Sequence, residues 1–180
     1  MPLEPTSAKS LVSDGTIELM LETARQTPTG AFVEVGVYQG GTAQHLHALA
    51  WEQGRKLYLY DTFIGMPYMD LAKGDSHKIG DFSDASARAI VDLCPHALVV
   101  QGVFPNSAVD MPKIAFAHVD VDNYRCVKEA AEYLMTRMVP GGVIWFDDSP
   151  CLGGAEKATE ELFGDARLLS VTGQHYVRFR

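Results

Sequence analysis

The fold is decided by residues 31–42, which read AFVEVGVYQGGT. The first six residues are rich in β-branched and aromatic side chains and bounded by Gly30 and Gly36, and this pattern predicts a short buried strand. After Gly40 the apolar residues recur at helical spacing. A buried strand that passes through a glycine loop into a helix is typical of the first unit of a doubly wound α/β sheet.

The rest of the chain repeats this alternation of strands and helices. Strands are predicted at 31–36, 56–61, 97–101, 114–120, 142–147, 167–171 and 176–179, and helices at about 17–24, after 41, from about 83, at 124–139 and at about 155–163. A short turn at 172–175 joins the last two strands, so they should form an antiparallel hairpin. We therefore expect a flexible arm at 1–12 and one α/β domain at 13–180, with a doubly wound, Rossmann-like and mostly parallel sheet of about seven strands and an antiparallel C-terminal strand.

The charge balance excludes some partners. The chain has 15 Lys and Arg residues against 23 Asp and Glu residues, and its formal net charge is -8. A field of this sign repels polyanions, so nucleic acid is not expected as a partner. No apolar run reaches the ~20 residues of a membrane span and no leader pattern opens the sequence, so we expect no membrane partner and a cytoplasmic location. Three scattered cysteines predict neither disulfides nor a zinc site.

One long connection, residues 62–82, interrupts the alternation. It contains glycines, a proline, aromatic residues and several charges, without a periodic apolar pattern. Long irregular connections in compact domains are often functional, although some are only mobile surface. We interpret residues 62–82 as a substrate lid and use that name for them below.

The loop after the first strand is the candidate cofactor site, because ligands of doubly wound sheets bind at the carboxyl ends of the strands. Gly36 permits a tight turn, and Gly40 and Gly41 permit close approach to the next helix. Asp61 lies twenty-one residues after Gly40, where an acid can accept hydrogen bonds from ribose hydroxyls. Glu34 can help to orient an ammonium group. The dinucleotide pattern G-x-G-x-x-G is absent, so S-adenosylmethionine is favoured over a nicotinamide or over ordinary turn chemistry without a cofactor.

Three aspartates lie at the ends of two predicted strands. Asp120 follows one strand, and Asp147 and Asp148 follow the next. Adjacent strands lie about 4.8 Å apart, so the three carboxylates can converge, and concentrated acids repel one another unless a cation or protons intervene. Oxygen ligands favour Mg²⁺, which lowers the pKa of an alcohol that then attacks a sulfonium methyl group. The alternative is a solvated strand end with a helix cap. A role in the site is left open for His118, whose alternative is a core histidine, and for Asp122, whose alternative is a cap near residue 123.

At these residues the sequence resembles the macrocin O-methyltransferase family. Members of this family are metal-dependent enzymes that methylate sugar hydroxyls of bacterial natural products. The resemblance covers residues 31–148 almost continuously and includes a weaker match at 172–174. The matching stretches are FVEVGVYQGGT at 32–42, YDTFIGMP at 60–67, GDFSDAS at 80–86, QGVFP at 101–105, HVDVDNY at 118–124 and VPGGVIWFDD at 139–148. The sequence departs from the family pattern at 149–151, where Ser-Pro-Cys replaces an aromatic residue and glycine, and in being shorter before the first strand.

The resemblance implies a set of site residues. The family's metal ligands fall on Asp120, Asp147 and Asp148, and its base also falls on Asp120. Residues 80–86 fall in or beside the family's lid. The cofactor-binding residues expected from the loop and the matching stretches are Glu34, Gly36, Val37, Gly40, Gly41, Thr42, Asp61, Thr62, Phe63, Gln101 and Gly102.

The expected reaction is transfer of a methyl group from S-adenosylmethionine to a hydroxyl of a sugar or other small molecule, with Mg²⁺ or another divalent cation. Catechol-type O-methylation, N-methylation, nicotinamide-dependent oxidoreduction and a non-catalytic binding module stay open as alternatives. Related enzymes associate, so a homo-oligomer is open as well.

Overall fold

The computed structural model describes residues 8, 10–68, 77–147, 149, 153–164, 169–171 and 173–180. Within these residues the chain alternates between helices and strands, as the sequence predicts. The elements are α1 (Asp14–Arg25), β1 (Ala31–Val35), α2 (Ala43–Glu52), β2 (Leu57–Asp61), α3 (Ala87–Leu93), β3 (Ala97–Gln101), β4 (Ile114–Val119), α4 (Tyr124–Met135), β5 (Met138–Phe146), α5 (Gly153–Phe163), β6 (Leu169–Val171) and β7 (Gln174–Arg178).

The described strands form one seven-stranded sheet in the order β3-β2-β1-β4-β5-β7-β6. The neighbouring pairs from β3 to β5 are parallel, whereas β7 runs antiparallel to both β5 and β6. This confirms the predicted doubly wound, mostly parallel α/β sheet with a reversed C-terminal strand. Because β1 pairs with β2 on one side and β4 on the other, the chain reverses its direction of winding between β1 and β4, and ligands of such folds bind at that point.

Alternate residues of the central strands pack against helices on opposite faces of the sheet. Val33 of β1 belongs to the core that contains Val127 of α4 and Ala158 of α5. Its neighbour Phe32 belongs to the core on the other face, which contains residues of α1, α2 and α3. Every residue of β1 and β4 is buried, so the strands that flank the switch point are held on both sides.

The structure corrects two predicted helix boundaries. The helix predicted at 124–139 ends at Met135, and Met138 instead begins β5, where it pairs with Ile114 of β4. Helical spacing placed Met138 on the apolar stripe of α4, but pairing with a distant strand overrides this local pattern. The helix predicted from about residue 83 begins at Ala87, and the side chain of Ser86 caps it by accepting a hydrogen bond from the backbone of Ala89.

The last hairpin is confirmed, although its turn is shorter than predicted. Gln174 and His175, which were assigned to the turn, lie in β7 and pair with Val171 and Ser170 of β6. Residues 167 and 168 of the predicted strand lie outside the described residues.

Among the described residues, no helix combines the length and the apolar character needed to cross a lipid bilayer. Cys94 and Cys126 are buried free thiols, and burial raises the pKa of Cys94 to about 12 and that of Cys126 to about 11. Cys151 lies outside the described residues.

Candidate functional site

An open cleft with a cavity volume of about 240 Å³ lies at the switch point between β1 and β4. Its walls come from the glycine loop after β1, the ends of β2 and β4, the residues after β3, and the described part of the lid. Ligands of doubly wound sheets bind in a crevice at this position.

Gly36 allows the end of β4 to lie close against the turn after β1 at the floor of the cleft. Its φ of 90° lies in the left-handed region, and a Cβ placed on it would lie 1.7 Å from the backbone oxygen of Asp120. The backbone N–H of Asp120 donates to the carbonyl of Val35 at 2.8 Å, which draws the end of β4 against this turn. Only glycine fits here, because a side chain would meet backbone that cannot move aside.

Asp61 braces the glycine loop from the end of β2. Its Oδ2 accepts hydrogen bonds from the backbone N–H groups of Val37 and Tyr38, both at 2.8 Å, and its Oδ1 accepts one from Phe63 at 2.7 Å. A carboxylate has about four acceptor positions, so these three bonds leave capacity for a ligand hydroxyl. The acid that was expected to bind ribose therefore also determines the shape of the loop.

Glu34 and His118 form a buried pair across β1 and β4. They occupy paired positions, and Nδ1 of His118 is hydrogen-bonded to Oε1 of Glu34 at 2.9 Å. The exposed fractions of the two residues are 1% and 0%. Burial raises the pKa of Glu34, and the hydrogen bond to His118 opposes that rise. Glu34 lines the cleft, and no described residue hydrogen-bonds to its Oε2.

The acidic strand ends meet in the cleft as far as the structure describes them. Asp120 and Asp147 both line it, and they directly follow Val119 and Phe146, which are paired in register. Asp148, the third predicted metal ligand, lies outside the described residues. Among the residues that the structure does describe, no three His, Cys, Asp or Glu side chains are grouped closely enough to hold a metal ion.

The two residues that were left open take different positions. His118 lies in the sheet core and does not line the cleft, so its contact with the site passes through Glu34. Asp122 lines the cleft, and its φ of 57° is in the left-handed region. The cap of α4 is Asn123, whose Oδ1 accepts from the backbone of Cys126 at 2.9 Å.

Most of the predicted cofactor-binding residues line the cleft. They are Glu34, Gly36, Val37, Gly41, Thr42, Asp61, Thr62 and Gly102. Three others do not line it. A Cβ on Gly40 would contact the side chains of α3, Phe63 is buried in the core with α1 and α2, and the Gln101 side chain donates to the carbonyl of Thr62 at 3.2 Å.

The described parts of the lid form one wall. The lid residues that line the cleft are Thr62, Gly65, Met66, Pro67, His77, Asp81 and Phe82. The two ends of the lid are joined by backbone hydrogen bonds from Met66 to Asp81 at 2.9 Å and from Gly80 to Met66 at 3.1 Å. Gly65 permits this approach, since a Cβ on it would lie 2.5 Å from the backbone of Gly80. Residues 69–76, within the predicted lid, lie outside the described residues.

Sequence reasoning missed a wall made by the residues before α1. Ser10, Leu11 and Val12 line the cleft, and the hydroxyl of Ser10 is hydrogen-bonded to that of Thr42 at 3.2 Å. Gln44 also donates to the carbonyl of Ala8 at 2.5 Å. The other residues of the predicted arm, 1–7 and 9, lie outside the described residues. Leu11 is an apolar residue with 74% of its surface exposed beside the cleft. Only the structure reveals that it belongs to this wall.

Ser149, where the sequence departs from the family pattern, is fully buried. Its hydroxyl is hydrogen-bonded to the hydroxyl of Thr159 at 2.8 Å and to Nδ1 of His175 at 3.0 Å. Burial lowers the pKa of His175, which favours the neutral imidazole in this contact. The small polar side chain thus ties the residue after Asp147 and Asp148 to α5 and β7.

Comparisons with known proteins agree with this architecture. The chain is 26% identical over 140 residues to the 8-demethyl-8-(2,3-dimethoxy-α-L-rhamnosyl)-tetracenomycin-C 4'-O-methyltransferase of Streptomyces olivaceus, a match over 66% of this chain and 52% of that protein. It therefore spans about half the length of this relative.

Two solved structures show the same fold. The O-methyltransferase NovP superposes with a TM-score of 0.72 at 18% identity, over 92% of this chain and 78% of that one. The calicheamicin methyltransferase CalS11 superposes with a TM-score of 0.70 at 20% identity, over 91% of this chain and 77% of that one.

The family model for macrocin O-methyltransferases matches residues 14–170, which include every element from α1 to the start of β6. This match covers most of the chain and includes the glycine loop, the lid and the acidic strand ends. The chain belongs to the macrocin O-methyltransferase family.

Proposed function

We propose that this chain is an S-adenosylmethionine-dependent O-methyltransferase that acts on a hydroxyl of a sugar or another small metabolite. The observation that carries the proposal is the acidic cleft at the switch point, which combines the braced glycine loop, Glu34, Asp120 and Asp147 in one site. Membership of the family supports it, as does the relative that is named as a 4'-O-methyltransferase of a rhamnosyl-tetracenomycin.

The charges of the cleft suit a cationic cofactor. Its described lining contains six carboxylates, from Glu34, Asp61, Asp81, Asp120, Asp122 and Asp147, and no Lys or Arg. S-adenosylmethionine carries two cationic groups, a sulfonium and an ammonium, against one carboxylate, so the cofactor as a whole is attracted to such a lining. Oε2 of Glu34, which is buried and accepts no bond from the described residues, fits the ammonium group. When bound, the cofactor supplies the electrophilic methyl group.

The chain's own residues perform the acid–base part of the reaction. An alcohol is a weak nucleophile, so its proton must leave as the new O–C bond forms. A carboxylate oxygen of Asp120 takes this proton, and Asp61 and Glu34 orient the cofactor beside it. Holding both reactants in line can supply on the order of 7–11 kcal/mol of the barrier.

A divalent cation fits the donor set at the strand ends. Asp120 and Asp147 follow paired residues of adjacent strands and present only oxygen atoms, which Mg²⁺ prefers over zinc. In this proposal Asp120, Asp147 and Asp148 hold the cation. When bound, it lowers the pKa of the acceptor hydroxyl.

The acceptor class follows from the same lining. Carboxylates repel phosphates and carboxylates of a ligand, so a neutral polyhydroxylated acceptor matches the described walls better than an anionic one. A sugar hydroxyl satisfies this condition, and a catechol or an amine remains an alternative that the experiments distinguish. The absence of nucleic acid and membrane partners, a cytoplasmic location and homo-oligomer formation stay predictions.

The test begins with isothermal titration of the protein with S-adenosylmethionine and S-adenosylhomocysteine, with EDTA and after addition of Mg²⁺. We expect both to bind. Labelled cofactor is then offered with a panel of glycosides, catechols and amines, and we expect turnover with a hydroxylated glycoside that EDTA abolishes and Mg²⁺ restores.

Each outcome separates the alternatives. A folded protein that binds neither ligand contradicts the proposal. Binding without turnover on any acceptor indicates a binding module, and EDTA-insensitive turnover on an amine indicates N-methylation. Asp92→Asn serves as the control variant, since Asp92 lies on the surface of α3 and pairs only with Arg88 among the contacts described.

A further inference from the structure

Three side chains meet on the outside of the cleft, where the lid approaches the glycine loop. The hydroxyl of Tyr38 donates to Oδ2 of Asp84 at 3.0 Å, and Nε2 of Gln39 donates to the same oxygen at 2.9 Å. Nε2 of Gln39 also lies 3.2 Å from the Tyr38 hydroxyl. We call Tyr38, Gln39 and Asp84 the latch, because they join two segments that are 45 or more residues apart.

The latch continues inward as an aromatic wall. The ring of Tyr38 packs edge-on against that of Phe82, with centroids 5.4 Å apart, and Phe82 packs against His77 at 5.5 Å. These three rings line the cleft, whereas Gln39 and Asp84 do not. The polar contacts therefore lie outside the ligand site and hold in place the aromatic residues that face it.

The backbone at both sides of this wall is unusual. Tyr38 has a φ of 49° and Phe82 a φ of 64°, and bulky residues rarely adopt such values. Conformations of this kind persist only where surrounding contacts maintain them. Asp84 supplies such contacts, and its hydrogen bond is the largest cause of the raised pKa of Tyr38.

Asp84 has no capping role that would explain these contacts. The helix that follows begins at Ala87, and its cap is Ser86. Two donors from a distant loop converge instead on one carboxylate oxygen, and a charged acceptor forms stronger hydrogen bonds than a neutral one.

We propose that Asp84 is a positioning residue that, through Tyr38 and Gln39, holds the aromatic residues His77 and Phe82 against the glycine loop and thereby limits how fast the cofactor and its product leave. This inference rests on the proposed function, because it takes the ligand of the cleft to be S-adenosylmethionine. Asp84 and Gln39 do not line the cleft, so loss of the Asp84 hydrogen bonds speeds ligand exchange and leaves Glu34, Asp120 and Asp147 in place.

The test compares Asp84→Ala, Asp84→Asn and the surface control Asp92→Ala. The dissociation rate of S-adenosylhomocysteine is measured by stopped flow, and hydrogen exchange of residues 36–41 and 77–86 is measured without ligand. We expect Asp84→Ala to release the ligand about tenfold faster, which corresponds to ~1.4 kcal/mol, and to exchange faster in both segments. Asp84→Asn should restore most of the wild-type behaviour, because its amide oxygen accepts from the same donors. Asp92→Ala should match the wild type.

The outcomes distinguish this inference from the proposed function. If the wild type binds S-adenosylhomocysteine and Asp84→Ala releases it at the wild-type rate, the latch is overturned while the methyltransferase proposal stands. If hydrogen exchange of the two segments is unchanged in Asp84→Ala, the latch is overturned without reference to any ligand. If the folded wild type binds neither cofactor nor product, the proposed function fails and the role of Asp84 in cofactor exchange fails with it.

Discussion

The floor and the roof of the cleft are built on opposite physical principles. The floor consists of the ends of β1 and β4, where Glu34 and His118 form a pair inside a fully buried part of the sheet. The roof consists of the described part of the lid and the latch, where Tyr38, Gln39 and Asp84 form their hydrogen bonds at the exposed surface.

This difference indicates that the floor and the roof have different roles. Breaking a buried polar pair leaves a desolvated group without a partner, which costs much more than breaking an exposed contact that water can replace. The floor is therefore suited to holding reactive groups in fixed positions. The roof is suited to opening, because local opening requires little free energy where contacts are exposed. Variants that act on one region and leave the other unchanged test this comparison.

The largest effect is expected at the floor, from Asp120→Asn. The amide keeps the size of the side chain but cannot take the acceptor proton, and it is a poorer ligand for a cation. We expect turnover to fall by at least about 100-fold, in line with the loss of a general base, whereas the melting temperature and the affinity for S-adenosylhomocysteine change little. Turnover close to that of the wild type would show that another group accepts the proton.

The second largest effect is expected from Gly36→Ala, which should lower the stability of the protein through the floor of the cleft. The new Cβ would meet the backbone oxygen of Asp120, and the φ of 90° disfavours alanine. We expect the free energy of unfolding, measured by urea denaturation, to fall by about 3 kcal/mol.

A matched control separates the two causes of this loss. Gly54 also has a positive φ, of 63°, but a Cβ on it would meet no atom within 4 Å. Gly54→Ala should therefore cost only about 1 kcal/mol. Equal losses at both positions would show that backbone conformation, and not the close approach of β1 and β4, explains the requirement for glycine.

A smaller effect, on the melting temperature, is expected from Glu34→Gln at the floor of the cleft. The size of this effect should depend on pH. The folded-state pKa of Glu34 is raised above its ordinary value of 4.5. The contribution of Glu34 to the stability of the folded protein is therefore fully present below pH 4.5 and is lost as the pH rises through the folded-state pKa. Glutamine does not titrate, so the melting temperature of the variant, relative to that of the wild type, should rise as the pH increases above 4.5.

The same variant should bind the cofactor more weakly. Loss of a charge-assisted hydrogen bond to the ammonium group predicts an affinity for S-adenosylmethionine reduced by about tenfold or more at neutral pH. Glu22→Gln, on the exposed side of α1, is the control and should change neither property. A pH-independent difference in melting temperature would contradict the raised pKa.

The smallest effect is expected at the roof, from Tyr38→Phe. This change removes one of the two donors to Asp84 and retains the ring that packs on Phe82. Exposed interactions contribute about 0.2–1 kcal/mol, so product release should be only a few-fold faster. In the double variant with Asp84→Ala, the change at Tyr38 should have no further effect, because its partner is already absent. Additive effects would mean that the two residues act separately.

The sequence predicted the parts of the site that rest on local patterns. Apolar runs and the glycines and polar residues that bound them predict the strand before Gly36, the glycine loop and the acids at the ends of β4 and β5. The boundary at Met138 was wrong, because a methionine at helical spacing carries no information about its pairing with Ile114. The wall formed by Leu11 was missed, because residues without periodicity give no sign of where they pack.

The sequence by itself thus determined the order of the elements, the doubly wound sheet and the residue types at its carboxyl edge. These depend on burial and backbone preference, which each segment carries in its own composition. Only the tertiary structure decided which polar groups meet: Glu34 with His118, Asp61 with the loop of Val37, and Asp84 with Tyr38. The reason is physical, since a side chain's donors and acceptors are known from its type, whereas its partners depend on the register of strands and the path of loops that are distant in the chain.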